Sequence, residues 1–509
     1  MIISLSVLVI TIIVSGTYAL YKTQLSKNIG VNTTTHGLAY YINYVKGTDI
    51  TAATLNPSTS YEGGASSDIE FWKKDDSYDI YGKIELTVNT IGTNLSNSPA
   101  LKYAVVNNGN VLKEGSLKGT TSGSKVTILK NLYLEQTKQI YTVYVWLDNS
   151  EELGNISNES LSISVDCTAS LQKEPTAADT IISLYTSAAK ATVTNNSITY
   201  NTAPSVSLMN DRLGGTTTDL DGGNIRYYGA NPNNYIYFNC SDYSNQTSST
   251  CEVWRIIGVF DGKLKLIKSE SIGAYSWDNK DTSTGAESDT GKNDWTTARL
   301  MKLLNPSDYY VVDSNDNELG QSLYWNSASG KCYSGFQNAI VDCDFTSTGI
   351  KNDTTRNMIA DVIWNLGGSD TNKVYLNQMY EYERGTTVYT GRPTIWTGKI
   401  ALAYLSDYGY AVDLNECKDK ALYDYDSIPC ESYNWIKAIL GTSGFEWLLA
   451  VTYNDATGVG FVRSSGVPYN NGPAAGEQKV VPVLYLSSEL GIESGAGDGS
   501  SSNPYKLSI

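Results

Sequence analysis

Six of the seven cysteines form three local pairs along the chain, and this spacing restricts the fold more than any other feature of the sequence. The pairs are Cys240 with Cys251, Cys332 with Cys343, and Cys417 with Cys430. Zinc sites need closer clusters of Cys or His, such as C-x-x-C, so we expect three disulfides that close small loops. Six buried thiols are the alternative. Because disulfides persist in oxidising compartments, the pairs favour an extracellular protein of the cell surface. Cys167 is left over, either buried or free for an intermolecular bond.

Residues 1–21 contain no charged side chain. Roughly 20 apolar residues are enough to cross a bilayer, so we expect an apolar helix here. A signal peptide would be cut after Ala19, which follows a small-residue pattern, although the usual basic start is missing and the first positive charge is Lys22. A retained membrane anchor and the packing helix of a pilin-like filament are the alternatives. Pilins usually carry Glu where this chain has Leu5.

The charge balance excludes one class of partner. The net charge is −16 and the isoelectric point is near 4.6, whereas nucleic-acid binding needs a basic face. The chain has one histidine, His36. Because catalysis by Ser-His-Asp or Cys-His groups needs a histidine at the active site, and many zinc sites need several, this count nearly excludes both kinds of site. At 509 residues, two or three domains are expected.

Residues 22–172 are predicted to form an all-β sandwich of the immunoglobulin-like or jelly-roll kind. Ile84, Leu86 and Val88 alternate with polar residues, which is the period of a half-buried strand. The sequence Asn-Asn-Gly at residues 107–109 predicts a tight hairpin. Repeated short strands with turn signals of this kind are typical of β-sandwiches.

Residues 173–205 are predicted to be a helical connector and linker, and residues 206–509 an α+β domain. The alternative for the helix is that it is the first element of that domain. Thr176 and Asp179 have the spacing of a helix capping box. The Ser-, Thr- and Asn-rich stretch 191–205 reads as a linker. In the larger domain we expect a hairpin across 260–262, and helices at about 295–304, 354–366 after an Asp353 cap, and 433–440.

The N-terminal part has the sequence Gly-Thr-Tyr-Ala at residues 16–19, followed by a polar lead and a predicted β-sandwich. In this order it resembles camelysin-type biofilm matrix proteins of Gram-positive bacteria. The resemblance implies cleavage after Ala19 and fibre formation through a donated N-terminal strand. The sandwich as a whole, with residues 69–74 and 144–149, looks like that of uncharacterised surface proteins from gut Firmicutes.

Six segments of the C-terminal domain carry a second resemblance: residues 228–235, 254–258, 447–449, 481–486, 498–499 and 503–505. Through them the domain is similar to domains of the formylglycine-generating, C-type-lectin-like fold. Val481 departs from the pattern, since Arg often precedes this Pro. The resemblance implies a C-type-lectin-like fold with disulfide-stapled loops. Formylglycine generation needs reactive cysteines, and every cysteine of this domain has an expected disulfide partner, so we do not expect that activity.

Two acidic segments are candidates for calcium. Asp313, Asn315 and Asn317 begin like a calcium loop, but the Gly and Glu that an EF-hand needs at its sixth and twelfth positions are Glu318 and Tyr324. A looser calcium site or a solvated turn are the alternatives, and the same holds for Asp219 and Asp221. No other cofactor or metal is expected.

Trp277, Trp325 and Trp396 lie among Ser, Thr, Asn and Gly, so they are the candidates for stacking against a ligand such as a sugar ring. Membership of the domain core is the alternative for each. Paired carboxylates for glycoside hydrolysis are not singled out by any spacing.

The sequence favours a non-enzymatic bacterial cell-surface protein for display, adhesion or extracellular assembly. Its expected partners are copies of itself, a host or bacterial glycan or protein, and the membrane if residues 1–21 are retained. One alternative is a pilin-like or matrix-type filament subunit that polymerises through its N-terminal helix or a donated strand. The other is a secreted glycan-active enzyme.

Overall fold

A computed structural model of the chain divides into two units, Met1–Glu174 and Pro175–Ile509. It describes residues 23–25, 38–51, 55, 57–151, 153–156, 159–213, 223–243, 245–279, 290–306, 311–312, 318–319, 322–336, 338–440, 445–493 and 495–508. Several sequence predictions lie outside these residues: the helix over 1–21, Ala19, His36, Asp219, Asp221, Asp313, Asn315 and Asn317. Within the described residues, no helix has the length and apolar character needed to span a membrane.

The first unit is built almost entirely of strands. Its elements are β1 Thr23–Leu25, β2 Ile42–Val45, β3 Ile50–Thr51, β4 Pro57–Ser58, β5 Ala65–Lys73, β6 Tyr81–Ile91, helix α1 Thr93–Asn97, β7 Leu101–Asn107, β8 Asn110–Ser116, β9 Lys125–Tyr133, β10 Ile140–Asp148 and β11 Leu161–Ser170. One sheet has the order β1-β11-β6-β9, with β3 also on β11. The other has the order β2-β5-β10-β7-β8, with β4 also on β10.

The two sheets of the first unit share one buried core. The predicted alternation over Ile84, Leu86 and Val88 is confirmed, because these side chains are fully buried while their neighbours along β6 are partly exposed. They join Phe71 and Val143 of the opposite sheet in a single cluster. The predicted hairpin joins β7 to β8. Its two turn residues, Asn108 and Gly109, adopt positive φ angles of 50° and 78°. Such angles suit the tight turns that match strand twist.

The second unit mixes several sheets with short helices. Its strands are β12 Ala191–Asn195, β13 Ile198–Ala203, β14 Leu208–Asn210, β15 Ile225–Tyr227, β16 Tyr235–Phe238, β17 Glu252–Phe260, β18 Lys263–Lys268, β19 Ala274–Ser276, β20 Val311–Val312, β21 Glu318–Leu319, β22 Ser329–Tyr333, β23 Ile340–Asp344, β24 Val362–Asn365, β25 Ile395–Gly398, β26 Ile400–Ala401, β27 Phe445–Val451, β28 Gly458–Arg463, β29 Pro468–Pro473, β30 Glu477–Lys479, β31 Val483–Tyr485, β32 Gly491–Ile492 and β33 Leu507–Ser508. Its helices are α2 Ala177–Ser187, α3 Arg299–Leu304, α4 Asp353–Met358, α5 Leu376–Glu383, α6 Leu405–Tyr410, α7 Ile428–Ser432 and α8 Trp435–Leu440.

The main sheet of the second unit has the order β12-β13-β14-β15-β17-β18-β31-β26, with β16 also on β17. A smaller sheet has the order β19-β30-β27-β28-β29. Strand β31 comes from near the end of the chain yet lies between β18 and β26. The core of this unit therefore depends on pairing between residues that are far apart in sequence.

The structure includes residues 175–205 in the second unit, so the predicted helix is the first element of that unit, as the alternative had it, and 191–205 is not a separate linker. The capping box at the start of the helix is confirmed, since the Thr176 hydroxyl accepts from the Asp179 amide and the Asp179 carboxylate accepts from the Thr176 amide. Helix α2 then packs into the second core through Ile181 and Tyr185. Residues 191–203 form the hairpin β12–β13 at the edge of the main sheet. The Ser-, Thr- and Asn-rich stretch predicted to be a linker therefore forms a hairpin at the sheet edge.

The helix expected at 354–366 is also wrong in its second half. Asn352, rather than Asp353, caps α4, because its side chain accepts from the Thr355 amide. The helix ends at Met358, and residues 362–365 form β24 against β25. Val362 and Ile363 are β-branched residues that suit a strand. Pairing with β25 makes this segment a strand instead of a continuation of the helix. The other expected helices begin later than predicted, at Arg299 and Trp435.

Candidate functional site

All three predicted disulfides are confirmed: Cys240–Cys251, Cys332–Cys343 and Cys417–Cys430. Their presence indicates an oxidising environment, because thiols in the cytosol are kept reduced. Cys167 carries no disulfide and is completely buried in the first unit. Burial raises the pKa of its thiol well above the usual value, so it is a poor nucleophile in the folded unit.

Of the three tryptophans predicted as a stacking surface, two belong to the core and the third packs against it. Trp277 is fully buried and Trp325 is 7% exposed, so neither ring offers a face to a ligand. Trp396 is partly buried and packs edge-on against the buried ring of Trp295 at 6.1 Å. Polar neighbours in sequence did not keep Trp277 and Trp325 on the surface, because both rings belong to the large buried cluster of the second unit.

The calcium candidates are not among the residues that the structure describes. Across the residues that are described, no group of three or more His, Cys, Asp or Glu side chains is arranged to hold a metal ion.

Two of the segments that carry the resemblance in the second unit, residues 228–235 and 254–258, meet around the buried side chain of Arg255. Arg255 donates through Nε to the side-chain oxygen of Asn234 at 2.7 Å and through Nη2 to the carbonyl of Pro232 at 3.1 Å. Its guanidinium lies 4.0 Å from the ring centre of Tyr235 and 4.7 Å from that of Trp435. Burial lowers the pKa of Arg255 to about 10. These residues therefore form a packing unit.

The end of the chain closes the same packing unit. The amide of Tyr235 donates to the carbonyl of Gly499 at 2.8 Å, and the amide of Tyr505 donates to the carbonyl of Tyr235 at 2.9 Å. The amide of Tyr237 donates in turn to the carbonyl of Tyr505 at 2.9 Å. The last segment thus lies along β16.

One edge of the first unit is covered by very short strands. Strand β11 pairs with β6 from Leu161 to Ser170. On its other side, β3 pairs only with Ser162 and Ile163, and β1 pairs only with residues 167–169. The three residues between them, 164–166, have no strand partner on that side in the described part of the chain. We call this side of the strand the β11 edge.

Side chains partly cover the gap in the β11 edge. The hydroxyl of Tyr44 donates to the carbonyl of Val165 at 3.4 Å, and the ammonium of Lys46 lies 3.5 Å from the carboxylate of Asp166. Burial, with the nearby Cys167 and Asp166, raises the pKa of Tyr44. The Tyr44 hydroxyl thus satisfies one backbone carbonyl that a longer strand would otherwise pair with, and the Lys46–Asp166 ion pair lies beside it, so only small groups cover this part of the edge.

A shallow depression lies beside the same end of β11. It has an empty volume of about 290 Å³ and is lined by Tyr81, Gly82, Lys83, Asn131, Thr168, Ala169, Ser170, Gln172 and Glu174. Asn131 holds its rim, since its side-chain amide donates to the Glu174 carbonyl at 3.0 Å and its oxygen accepts from the Glu174 amide at 2.7 Å. Because Thr23 pairs with Ala169, the chain at the start of β1 reaches this depression.

A buried group of charges lies in the core of the second unit. Arg226 contacts Asp211 through Nε at 2.5 Å and Asp407 through Nη1 at 2.9 Å. Lys265 also contacts Asp407, and every one of these side chains is at most 1% exposed. We call these four residues the ion cluster. Nothing in the local sequence singled them out.

A second ion pair, with a buried carboxylate and a partly exposed arginine, lies next to the ion cluster. Glu383 accepts from the amide of Ser406 at 2.8 Å and from its hydroxyl at 2.5 Å, and it lies 3.0 Å from Arg384. Burial raises the pKa of Glu383, and the charge of Asp407 acts in the same direction. Burial works against the charge of Asp407 as well, but its cationic neighbours prevail and lower its pKa. Burial lowers the pKa of Lys265 to about 8.

Comparison with known proteins does not assign the chain to a family. No protein-family model matches the chain, and no curated protein matches it. Among solved structures, one similar chain is entitled "Crystal structure of HCR/D F1240A mutant". It has 13% sequence identity, the match covers 51% of this chain and 76% of that chain, and the TM-score is 0.14. A similarity at that level carries no argument about fold or function.

Proposed function

We propose that this chain is an exported, non-enzymatic protein that assembles outside the cell by strand exchange at the β11 edge. In the assembled state, the segment containing β1 of one copy pairs with β11 of the next. The observation that carries the proposal is the division of this edge between β3 and β1, with an unpaired gap at residues 164–166. The three disulfides support an extracellular location.

The energetics of β1 favour exchange. A backbone hydrogen bond contributes on the order of 1 kcal/mol net, so three paired residues hold β1 by roughly 2–3 kcal/mol. A strand that also paired with residues 164–166 would be held more strongly. Sheet edges with unpaired N–H and C=O groups are templates for pairing with another chain. An incoming copy therefore offers more pairing than the chain offers itself.

The remaining parts of the chain have supporting roles in this proposal. Residues 1–21 direct export or hold the chain at the membrane, at the surface of a Gram-positive cell. The second unit is a C-type-lectin-like domain that the assembly displays. Its rigid, disulfide-linked construction suits display on an extracellular surface.

Cysteine pairs placed at registered positions test strand exchange directly. Gln24 of β1 faces Thr168, and Thr51 of β3 faces Ser162. We would mix a Gln24→Cys chain with a Thr168→Cys chain under mild oxidation and examine the products on a non-reducing gel. Strand exchange predicts a disulfide-linked dimer from this mixture. A mixture of Thr51→Cys and Ser162→Cys chains is the matched control and should stay monomeric, because β3 is not exchanged.

A locked variant gives the second arm. A chain with both Gln24→Cys and Thr168→Cys fastens β1 to its own β11 and should form no fibres in negative-stain images. The doubly substituted Thr51→Cys, Ser162→Cys chain should form fibres as the unmodified protein does. Fibres from the β1-locked chain, or no linked dimer in the mixing experiment, would show that β1 is not the exchanged element.

A further inference from the structure

Lys265 and Asp407 form a pair of an amine and a carboxylate that is fully buried from solvent. Both side chains have zero exposure, and Lys265 Nζ touches Asp407 Oδ2. Among the Lys–carboxylate pairs of the described residues, this is the one in which both partners are fully buried. The ammonium lies 4.4 Å from the ring centre of Tyr404 and 5.2 to 5.4 Å from those of Phe260, Trp364 and Tyr485.

We propose that Lys265 and Asp407 condense to an intramolecular amide, which cross-links β18 to α6. One proton passes from Nζ to Oδ2, which leaves a neutral amine and a carboxylic acid. The amine adds to Cγ, a bond forms between Nζ and Cγ, and the bond between Cγ and Oδ2 breaks. Oδ2 leaves as water with a second proton from nitrogen. The third proton stays on the amide, so no oxidant, reductant or other reactant is needed.

The surroundings of Asp407 suit this addition. Arg226 Nη1 lies 2.9 Å from Oδ1, which is the oxygen that gains negative charge when the amine adds. The amide of Tyr404 donates to Oδ2, the leaving oxygen, at 3.0 Å. Two reacting groups held in contact gain a large effective concentration. Burial favours the uncharged amine of Lys265, which is the nucleophilic form.

The charge balance of the region also favours the amide. Before condensation, two buried cations, the partly buried Arg384 and three buried carboxylates lie in this region, and Asp407 contacts both Arg226 and Lys265. Condensation removes one charge of each sign from an interior in which isolated charges are costly. Arg226 keeps Asp211, and Arg384 keeps Glu383. Each remaining cation then has one carboxylate.

Intact-mass spectrometry of the full chain tests the proposal. The chain is first allowed to fold, and it is then denatured and its disulfides are reduced. Its measured mass should be lower than the mass calculated from the sequence by one water molecule. Proteolysis should yield a branched peptide that joins the segment of Lys265 to that of Asp407. A Lys265→Arg chain should have its full sequence mass, because arginine does not form this amide.

Lys268 provides the matched control. It lies on the same strand and contacts Glu252, but this carboxylate is 14% exposed. A Lys268→Arg chain should keep the loss of one water. Wild-type chain with full sequence mass, with Lys265 and Asp407 recovered in separate linear peptides, would overturn the proposal. So would a loss of water that persists in Lys265→Arg. If the Lys265→Arg chain fails to fold, the branched peptide of the wild type decides alone.

Discussion

The stability of the second unit should depend strongly on the carboxylate of Asp211. This side chain has zero exposure and accepts hydrogen bonds from Arg226 Nε at 2.5 Å, the Asn224 amide at 2.9 Å, the Asn224 side chain at 2.9 Å and the Leu213 amide at 3.1 Å. Asp211→Ala leaves these donors buried without this acceptor. Breaking a buried pair by removing one partner costs about 3–5 kcal/mol, so we expect the free energy of unfolding to fall by about 4 kcal/mol.

Urea unfolding followed by tryptophan fluorescence measures this loss. Eight of the ten tryptophans lie in residues 206–509, so the signal reports mainly on the second unit. Asp342→Ala is the matched control, because Asp342 pairs with Lys331 on an exposed hairpin and is 88% exposed. Exposed pairs contribute little, so this change should cost less than about 0.5 kcal/mol. A cost below about 1 kcal/mol for Asp211→Ala would refute the reasoning that the ion cluster stabilises the core.

Three further changes have defined outcomes. Thr176→Ala removes the capping box of α2 and should lower the free energy of unfolding of the second unit by about 1 kcal/mol in urea; no change would mean that packing alone holds this helix. Gly258→Ala places a Cβ 2.1 Å from the carbonyl oxygen of Ile225, so it should disrupt the pairing of β15 with β17 and lower the thermal midpoint clearly; an unchanged midpoint contradicts the register. Burial raises the pKa of Asp278 to about 7 from 3.8, so the folded chain keeps a proton that the unfolded chain releases. The contribution of this carboxyl is therefore complete below about pH 4 and is lost as the pH rises to about 7. Relative to Asp278→Asn, the wild type should lose about 4 kcal/mol across that window; parallel pH profiles of the two chains would contradict the burial argument.

The sequence predicted those parts of the fold whose structure is determined by residues close together in the chain. The alternation along β6 follows from a strand with one buried face, and the capping box at Thr176 needs only a spacing of three residues. The paired cysteines lie 11, 11 and 13 residues apart, so short loops bring them together. Each of these features can be read from a short window of sequence.

The remaining features depend on residues that are distant in sequence. Residues 362–365 form a strand because β25 lies beside them, and nothing in the apparent helical pattern indicates that partner. Trp277 is buried although its sequence neighbours are polar, because remote segments cover it. The ion cluster joins residues 211, 226, 265 and 407, and nothing in the local sequence separates these charges from the others; β18 alone carries three lysines.

The position of β31 determines when the second unit can fold. Residues 483–485 pair with β18 and β26, and Tyr505 pairs with Tyr235, so the core lacks these contacts until the end of the chain is available. A ribosome makes the chain from its N-terminus, and long-range pairing of this kind forms late. The core of the second unit therefore closes only when residues 483–505 are available to pair. Lys265 lies on β18 and its register partner on β31 is Tyr485, so its buried environment also forms late in folding.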